Sequence, residues 1–204
     1  MVVLFRFLFA IFKSRFRPRL GILDDCVIAM RVWPNDLDLN MHMNSGRYLS
    51  MMDIGRVEIL ARTRMLRPVL KRGWRPMVGA TFIRYRKSLL PFERFTVRSH
   101  IVCWDEKWLY FEHILERRGE VAAQAYVRGL LRGKSGNVKP RELLELAGTP
   151  SMQSPAMPED VVAWLQRLPV LTSFFTYAPV ANRVLFDFNQ FADASVALLK
   201  KQEA

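Results

Sequence analysis

Beyond residue 25 the apolar positions of this 204-residue chain recur at two periods, one helical and one of extended strands. "CVIAMRVW", residues 26 to 33, is rich in β-favouring side chains and stops at Pro34-Asn35. "SGRYLSMMDIGRVEILARTRMLRPVL" carries apolar residues at 48, 51, 52, 59, 60 and 66, the spacing of one helix face, with an end or a kink expected at Arg67-Pro68. Four strand-like runs follow, over 77 to 89, 93 to 104, 107 to 116 and 120 to 131. In the second, Phe95, Val97, Ile101 and Cys103 share one face, and Arg94, Thr96, Arg98 and His100 the other. Tight connections at Asp105-Glu106 and at Arg117-Arg118-Gly119 predict antiparallel hairpins. Strand, long helix and four-strand meander together predict an α+β fold, a central helix wrapped by an antiparallel five-strand sheet.

The flanks read differently. "RGKSGNVK", residues 132 to 139, is a basic exit from the sheet, and "PRELLELAG", "PEDVVAWLQRL" and "ADASVALLKKQEA" read as short helices of a C-terminal extension. The expected organisation is an arm over 1–20, a domain over 21–135 and the extension over 136–204. Within the central helix, Asn44 or Ser45 is the expected N-cap. Gly55 costs about 1 kcal/mol there relative to Ala. Its presence predicts a close approach of another backbone.

Residues 1 to 12 are apolar except for Arg6, and five basic residues fall within the first nineteen. A spanning helix needs about 20 apolar residues, so this run is too short. A secretory signal would place its charge first and close on small residues, which this one does not. Two expectations follow: an interfacial helix with Lys13, Arg15, Arg17 and Arg19 on anionic head groups, or an apolar arm docked on its own domain or on a partner subunit.

Charge sharpens the question of partner. A formal net charge of +12 favours something anionic, whether a lipid surface, a nucleic acid or a phosphorylated small molecule. No zinc-finger spacing or RNA-recognition signature is present, so nucleic acid is not the expected partner. Cys26 and Cys103 lie far apart in apolar runs and read as buried thiols in a reducing, cytoplasmic compartment. His42, His100 and His113 are too scattered to predict a metal site.

The densest polar chemistry is "WPNDLDLNMHMNSGRY", residues 33 to 48, at the first strand-to-helix junction. Turn formation alone would use such residues, because Asp and Asn bond their own backbone. The pattern Asp36, Asp38, His42, Asn44, Ser45 and Tyr48, with Asp53 and Arg56 on the following helix, also resembles the signature of acyl-CoA thioesterases of the 4-hydroxybenzoyl-CoA thioesterase type. A subgroup of thioesterase-like proteins with an apolar N-terminal segment is similar too. Two positions depart from that signature: Met41 stands where a glycine is usual, and Ser45 where a second asparagine is.

The resemblance covers roughly residues 25 to 132 and implies the hot-dog fold. It places the catalytic carboxylate on Asp38 and the N–H that polarises the thioester carbonyl on Ser45. It further implies a homodimer or a dimer of dimers, with sites built across the subunit boundary. The chemistry agrees with the residues. Thioester hydrolysis needs a base or nucleophile and donors for the developing oxyanion, and a helix N-terminus supplies such donors without a cofactor or metal.

The expected function is therefore acyl-CoA hydrolysis, with a lean toward fatty acyl chains and lipid metabolism. Asp38 and His42 would be catalytic, and Asn44, Ser45 and Tyr48 would line the substrate. Asp53 is a second candidate carboxylate. Arg84, Arg86, Lys87, Arg132 and Lys134 are candidate contacts to coenzyme A phosphates. The alternatives are a non-catalytic protein that binds acyl groups or membranes on the same fold, and a hot-dog hydratase. "DLNMH" lacks the proline and the spacing that the hydratase signature needs.

Overall fold

A computed structural model describes residues 2–174. Residues 2–156 form one compact unit, and the described residues from 157 to 174 belong to a second. The first unit opens with α1 (Val2–Ser14), followed by β1 (Cys26–Arg31), a 3-10 turn over Pro34–Asp36 and α2 (Ser45–Arg62). Then come α3 (Leu66–Lys71), β2 (Arg75–Tyr85), β3 (Arg94–Trp104), β4 (Leu109–Arg117), β5 (Glu120–Gly133), β6 (Gly136–Val138) and α4 (Pro140–Leu146). The second unit contributes α5 (Glu159–Phe174). The helix expected over 192–204 lies outside the described residues.

All strand pairs are antiparallel, in the order β1-β3-β4-β5-β2. The sheet has six strands, not five: β5 runs on to Gly133 and pairs Leu131 with Val138 of β6. The stretch expected as an exit from the sheet is in fact a hairpin, turning through Lys134-Ser135. The end of the long helix also differs. α2 stops at Arg62, Arg64 adopts a left-handed φ of 62°, and Pro68 sits in the first turn of α3. There its missing N–H costs no helical bond.

α2 buries Tyr48, Met51, Met52, Ile54, Val57, Glu58 and Ile59. It packs on β3, whose inward face is Phe95, Val97, Ser99, Ile101 and Cys103, and on α1. Cys26 and Cys103 are buried free thiols, and burial pushes both up to about 11. The close approach at Gly55 is made by a side chain: a Cβ there would lie 2.2 Å from Ser99 Oγ. Ser99 Oγ in turn lies 2.8 Å from Nδ1 of the fully buried His113, and Arg56 donates to His113 Nε2 at 2.9 Å. Because a guanidinium only donates, Nδ1 carries the imidazole proton and donates to Ser99. Burial first, and then the Arg56 charge, hold His113 well below the usual histidine range, so it is neutral.

A methyl group at residue 55 has nowhere to go. Overpacking costs about 1–3 kcal/mol, and alanine's helix propensity returns about 1. Gly55→Ala is expected to lose about 1 kcal/mol of stability in urea denaturation, the difference of the two effects; an unchanged midpoint would mean that α2 can move off Ser99.

The two sheet edges are treated differently. β1 has β3 as its neighbour, and carbonyls of β1 accept from the arm: Arg17 donates to Val27 O and Arg6 to Arg31 O, each at 3.1 Å. At β2, Met77, Val78, Phe82 and Tyr85 are exposed along an eleven-residue edge strand.

Candidate active site

The residues between β1 and α2 fold as a miniature hairpin. Trp33 N–H donates to Asp36 Oδ2 (2.9 Å) and Asp36 N–H to Trp33 O (2.8 Å), closing the 3-10 turn. Asn44 N–H then donates to Asp36 O, Leu37 bridges Met43, and Asp38 N–H donates to His42 O. Residues 39 to 41 form the tip, with Leu39 and Met41 exposed. Met41 has a φ of 58°. This left-handed conformation costs a non-glycine residue roughly 1–2 kcal/mol, which is why glycine suits the position.

The two aspartates have separate duties. Asp36 is fully buried, and Arg6 Nη2 reaches its Oδ2 at 2.6 Å. Its Oδ1 has no partner among the described residues. It ties α1 to the loop. Asp38 is half-buried, and its Oδ1 accepts from the N–H groups of Asn40 (2.9 Å) and His42 (3.3 Å). Oδ2 takes no donor among the described residues, so the carboxylate is oriented yet open to a water or a carbonyl carbon.

Asn44 is the N-cap of α2, its Oδ1 accepting from Gly46 N–H at 2.9 Å. Ser45 is exposed and heads the helix, with its N–H unpaired among the described residues. Helix N-termini of this kind attract negative charge. Tyr48 is placed in the core: its hydroxyl accepts from Leu89 N–H at 3.2 Å, and its ring meets Tyr85 edge-on at 5.1 Å. Tyr85 OH donates to Ser45 O, and Leu89 O accepts from Met43 N–H. Both tyrosines therefore brace the first turn of α2 against the segment after β2. The His42 ring has no hydrogen-bond partner among the described residues, so backbone amides, rather than the imidazole, orient Asp38.

Asp53 pairs with Arg56 on α2, and burial raises its carboxyl against that pairing. Among the described residues no group of three or more His, Cys, Asp or Glu could hold a metal ion. The candidate coenzyme contacts do not gather in one place on the chain. Arg84 and the following Arg86 and Lys87 lie at the end of β2 that adjoins Ser45, and Lys87 pairs with Glu120. Arg132 lies opposite Arg75, roughly 30 Å away at the other end of the strand.

Sequence reasoning missed Arg6 and Tyr85 as parts of this site. Both arrive from outside the junction, over separations of 30 and 40 residues, and neither carries a local signal.

This junction, on a helix packed against an antiparallel sheet, is matched by the family model described as the thioesterase-like superfamily, over residues 32–165. The chain belongs to the thioesterase-like superfamily. Its fold is the hot-dog fold of that family. Protein THEM6 of Danio rerio is 32% identical over 158 residues, which are 73% of this chain and 73% of that one. Among solved structures, the probable thioesterase YbaW of Escherichia coli aligns at a TM-score of 0.55 with 20% identity, covering 60% of this chain and 97% of that chain. A Staphylococcus aureus protein solved in complex with CoA aligns at 0.55 with 18% identity, covering 70% and 95%.

Proposed function

We propose that this thioesterase-like protein hydrolyses an acyl-CoA thioester to the free acid and CoA. The observation that supports it best is the Asp38 carboxylate, fixed through one oxygen and open at the other, on the loop that leads into the N-terminus of α2. The thioester carbonyl would accept from Ser45 N–H, so that the helix terminus meets the oxyanion as it develops. Asp38 would take a proton from the attacking water, or attack the carbonyl carbon itself and form an anhydride that water then opens. Either route expels the CoA thiolate, which becomes the thiol by taking the proton that Asp38 drew from water on the first route, or a proton from solvent water on the second. His42 lies within the same hairpin, where its ring would hydrogen-bond the attacking water. Asn44 holds the helix start, and Tyr48 keeps it in register. Leu39 and Met41 at the loop tip offer apolar surface to a fatty acyl chain.

The test is a hydrolysis screen of the purified chain across acyl-CoAs of increasing length, read as free thiol. Thiol release on none of them, with acyl-CoA binding retained, would favour the non-catalytic reading, which the strained Met41 also suits.

The outer edge of β2, which pairs with no strand other than β5 among the described residues, supports a homodimer. Antiparallel pairing of β2 with a second copy would bring Arg132 of the partner subunit beside Arg84 and Ser45, uniting the two groups of cations that one protomer keeps apart. Sedimentation at micromolar concentration is expected to give twice the chain mass, and Phe82→Lys to shift it toward the monomer. A monomeric wild type with full activity would exclude this arrangement.

A further inference from the structure

α1 is two-faced. Phe7, Ala10 and Ser14 are buried, while Phe5, Phe9, Phe12 and Phe16 are 69%, 54%, 59% and 77% exposed. Those four recur at intervals of four, three and four residues, along one face of the helix and the turn after it. Phe5 stacks with Phe9 at 6.4 Å between centroids, and Phe12 meets Phe16 edge-on at 5.3 Å. The charge within the apolar run, Arg6, is turned inward to Asp36, so this face carries no charge before Lys13. Trp33 is also exposed, and its backbone N–H shares Asp36 Oδ2 with Arg6 of α1.

The basic side chains flank the rings. Lys13, Arg15 and Arg19 are exposed, and the Lys13 ammonium sits 5.9 Å over the Phe9 ring. At thirteen residues α1 is about 20 Å long, short of the roughly 30 Å hydrocarbon core. No described helix is long and apolar enough to cross a membrane.

We propose that this face docks on an anionic lipid surface, with α1 lying in the plane of the interface. Phe5, Phe9, Phe12 and Phe16 would enter the acyl boundary, Trp33 would sit at headgroup depth, and Lys13, Arg15 and Arg19 would meet lipid phosphates. Charge selects lipid over a second copy of the same face. Two copies would bring like charges together on a chain already at +12, whereas anionic lipid neutralises them. Arg6 then gives the docking a direction, because it couples the lipid-facing helix to the loop that carries Asp38.

The experiment is flotation of the full chain with vesicles of phosphatidylcholine alone and of an equal mixture with phosphatidylglycerol. Wild type is expected to float with the mixed vesicles. The triple variant Phe9→Ser, Phe12→Ser, Phe16→Ser should partition at least about 100-fold more weakly, since even partial burial of each ring is worth about tenfold. Changing Lys13, Arg15 and Arg19 to Gln should cost about fivefold per charge on mixed vesicles and little on neutral ones. Circular dichroism and a thermal melt on the same samples check that the variants fold, and all six positions are exposed. A wild type that floats with neither vesicle, or a triple-Phe variant that floats as well as wild type, overturns the proposal. A triple-Phe variant that halves the sedimenting mass of a chain indifferent to vesicles would assign the face to a second copy. None of these readouts needs turnover, so the result stands apart from the thioesterase reading.

Discussion

Asp38→Asn is expected to lower kcat for acyl-CoA hydrolysis by about 100- to 10,000-fold, with more lost if the carboxylate is the nucleophile. The substitution keeps the shape of the side chain. Asn Oδ1 still accepts from Asn40 and His42 N–H, so the miniature hairpin and its melting temperature should survive. What disappears is the charge and the basic oxygen, Oδ2, that no described donor occupies. Acyl-CoA binding should change little, since the Ser45 amide is untouched. The measurement is thiol release under saturating substrate, with binding followed separately. Near-normal turnover would remove Asp38 from the chemistry. Loss in Asp53→Asn alone would move the carboxylate to α2, although Asp53 spends its charge on Arg56.

Arg6→Met is expected to destabilise the folded chain by about 3 kcal/mol, because removing one partner of a buried pair strands the other. Asp36 is fully buried and, among the described residues, has one oxygen without a partner even when Arg6 is present. Methionine keeps most of the side chain's length and apolar contact with α2, so the cost reports the charge and not the packing. Arg6 also donates to Arg31 O and approaches Met51 Sδ, so part of the loss comes from β1 and α2. Adding Asp36→Asn should recover a good share, since Trp33 N–H still finds an acceptor. Equilibrium urea denaturation of the two single variants and the double variant closes the cycle. Additive losses would show that the pair does not hold α1.

Much of this was legible because it is local. Period-two alternation in β3 put Phe95, Val97, Ile101 and Cys103 inward, and that is where they lie. Tight turns fixed the meander, and of the two expected caps of α2, Asn44 and Ser45, it is Asn44 whose side chain takes the place. β6 escaped because three residues carry no period, and its strand character comes from pairing with Leu131 to Gly133. The end of α2 escaped because Arg64, not the more visible Pro68, breaks it by turning left-handed. Within the site, the polar density around Asp38 was plain, yet the division of labour between Asp36 and Asp38 was not. That division depends on Arg6, thirty residues away. The arm posed two exclusive readings, docked or lipid-facing. The helix docks by one face and leaves the other apolar, a split that composition could not reveal because the two sets of side chains alternate around a single turn.

Terminal helices ordinarily fray at almost no cost, since their opening uncovers little. α1 is bound differently. Lifting it away strands Asp36 near one end of the contact, and lifting the turn behind it strands Glu58, which is buried and pairs with Arg17 at 2.8 Å. Opening residues 2–17 therefore strands two buried carboxylates, which costs more than loosening an unattached tail. The arm is tied to the domain by two buried carboxylates, and one of them, Asp36, belongs to the same loop as Asp38.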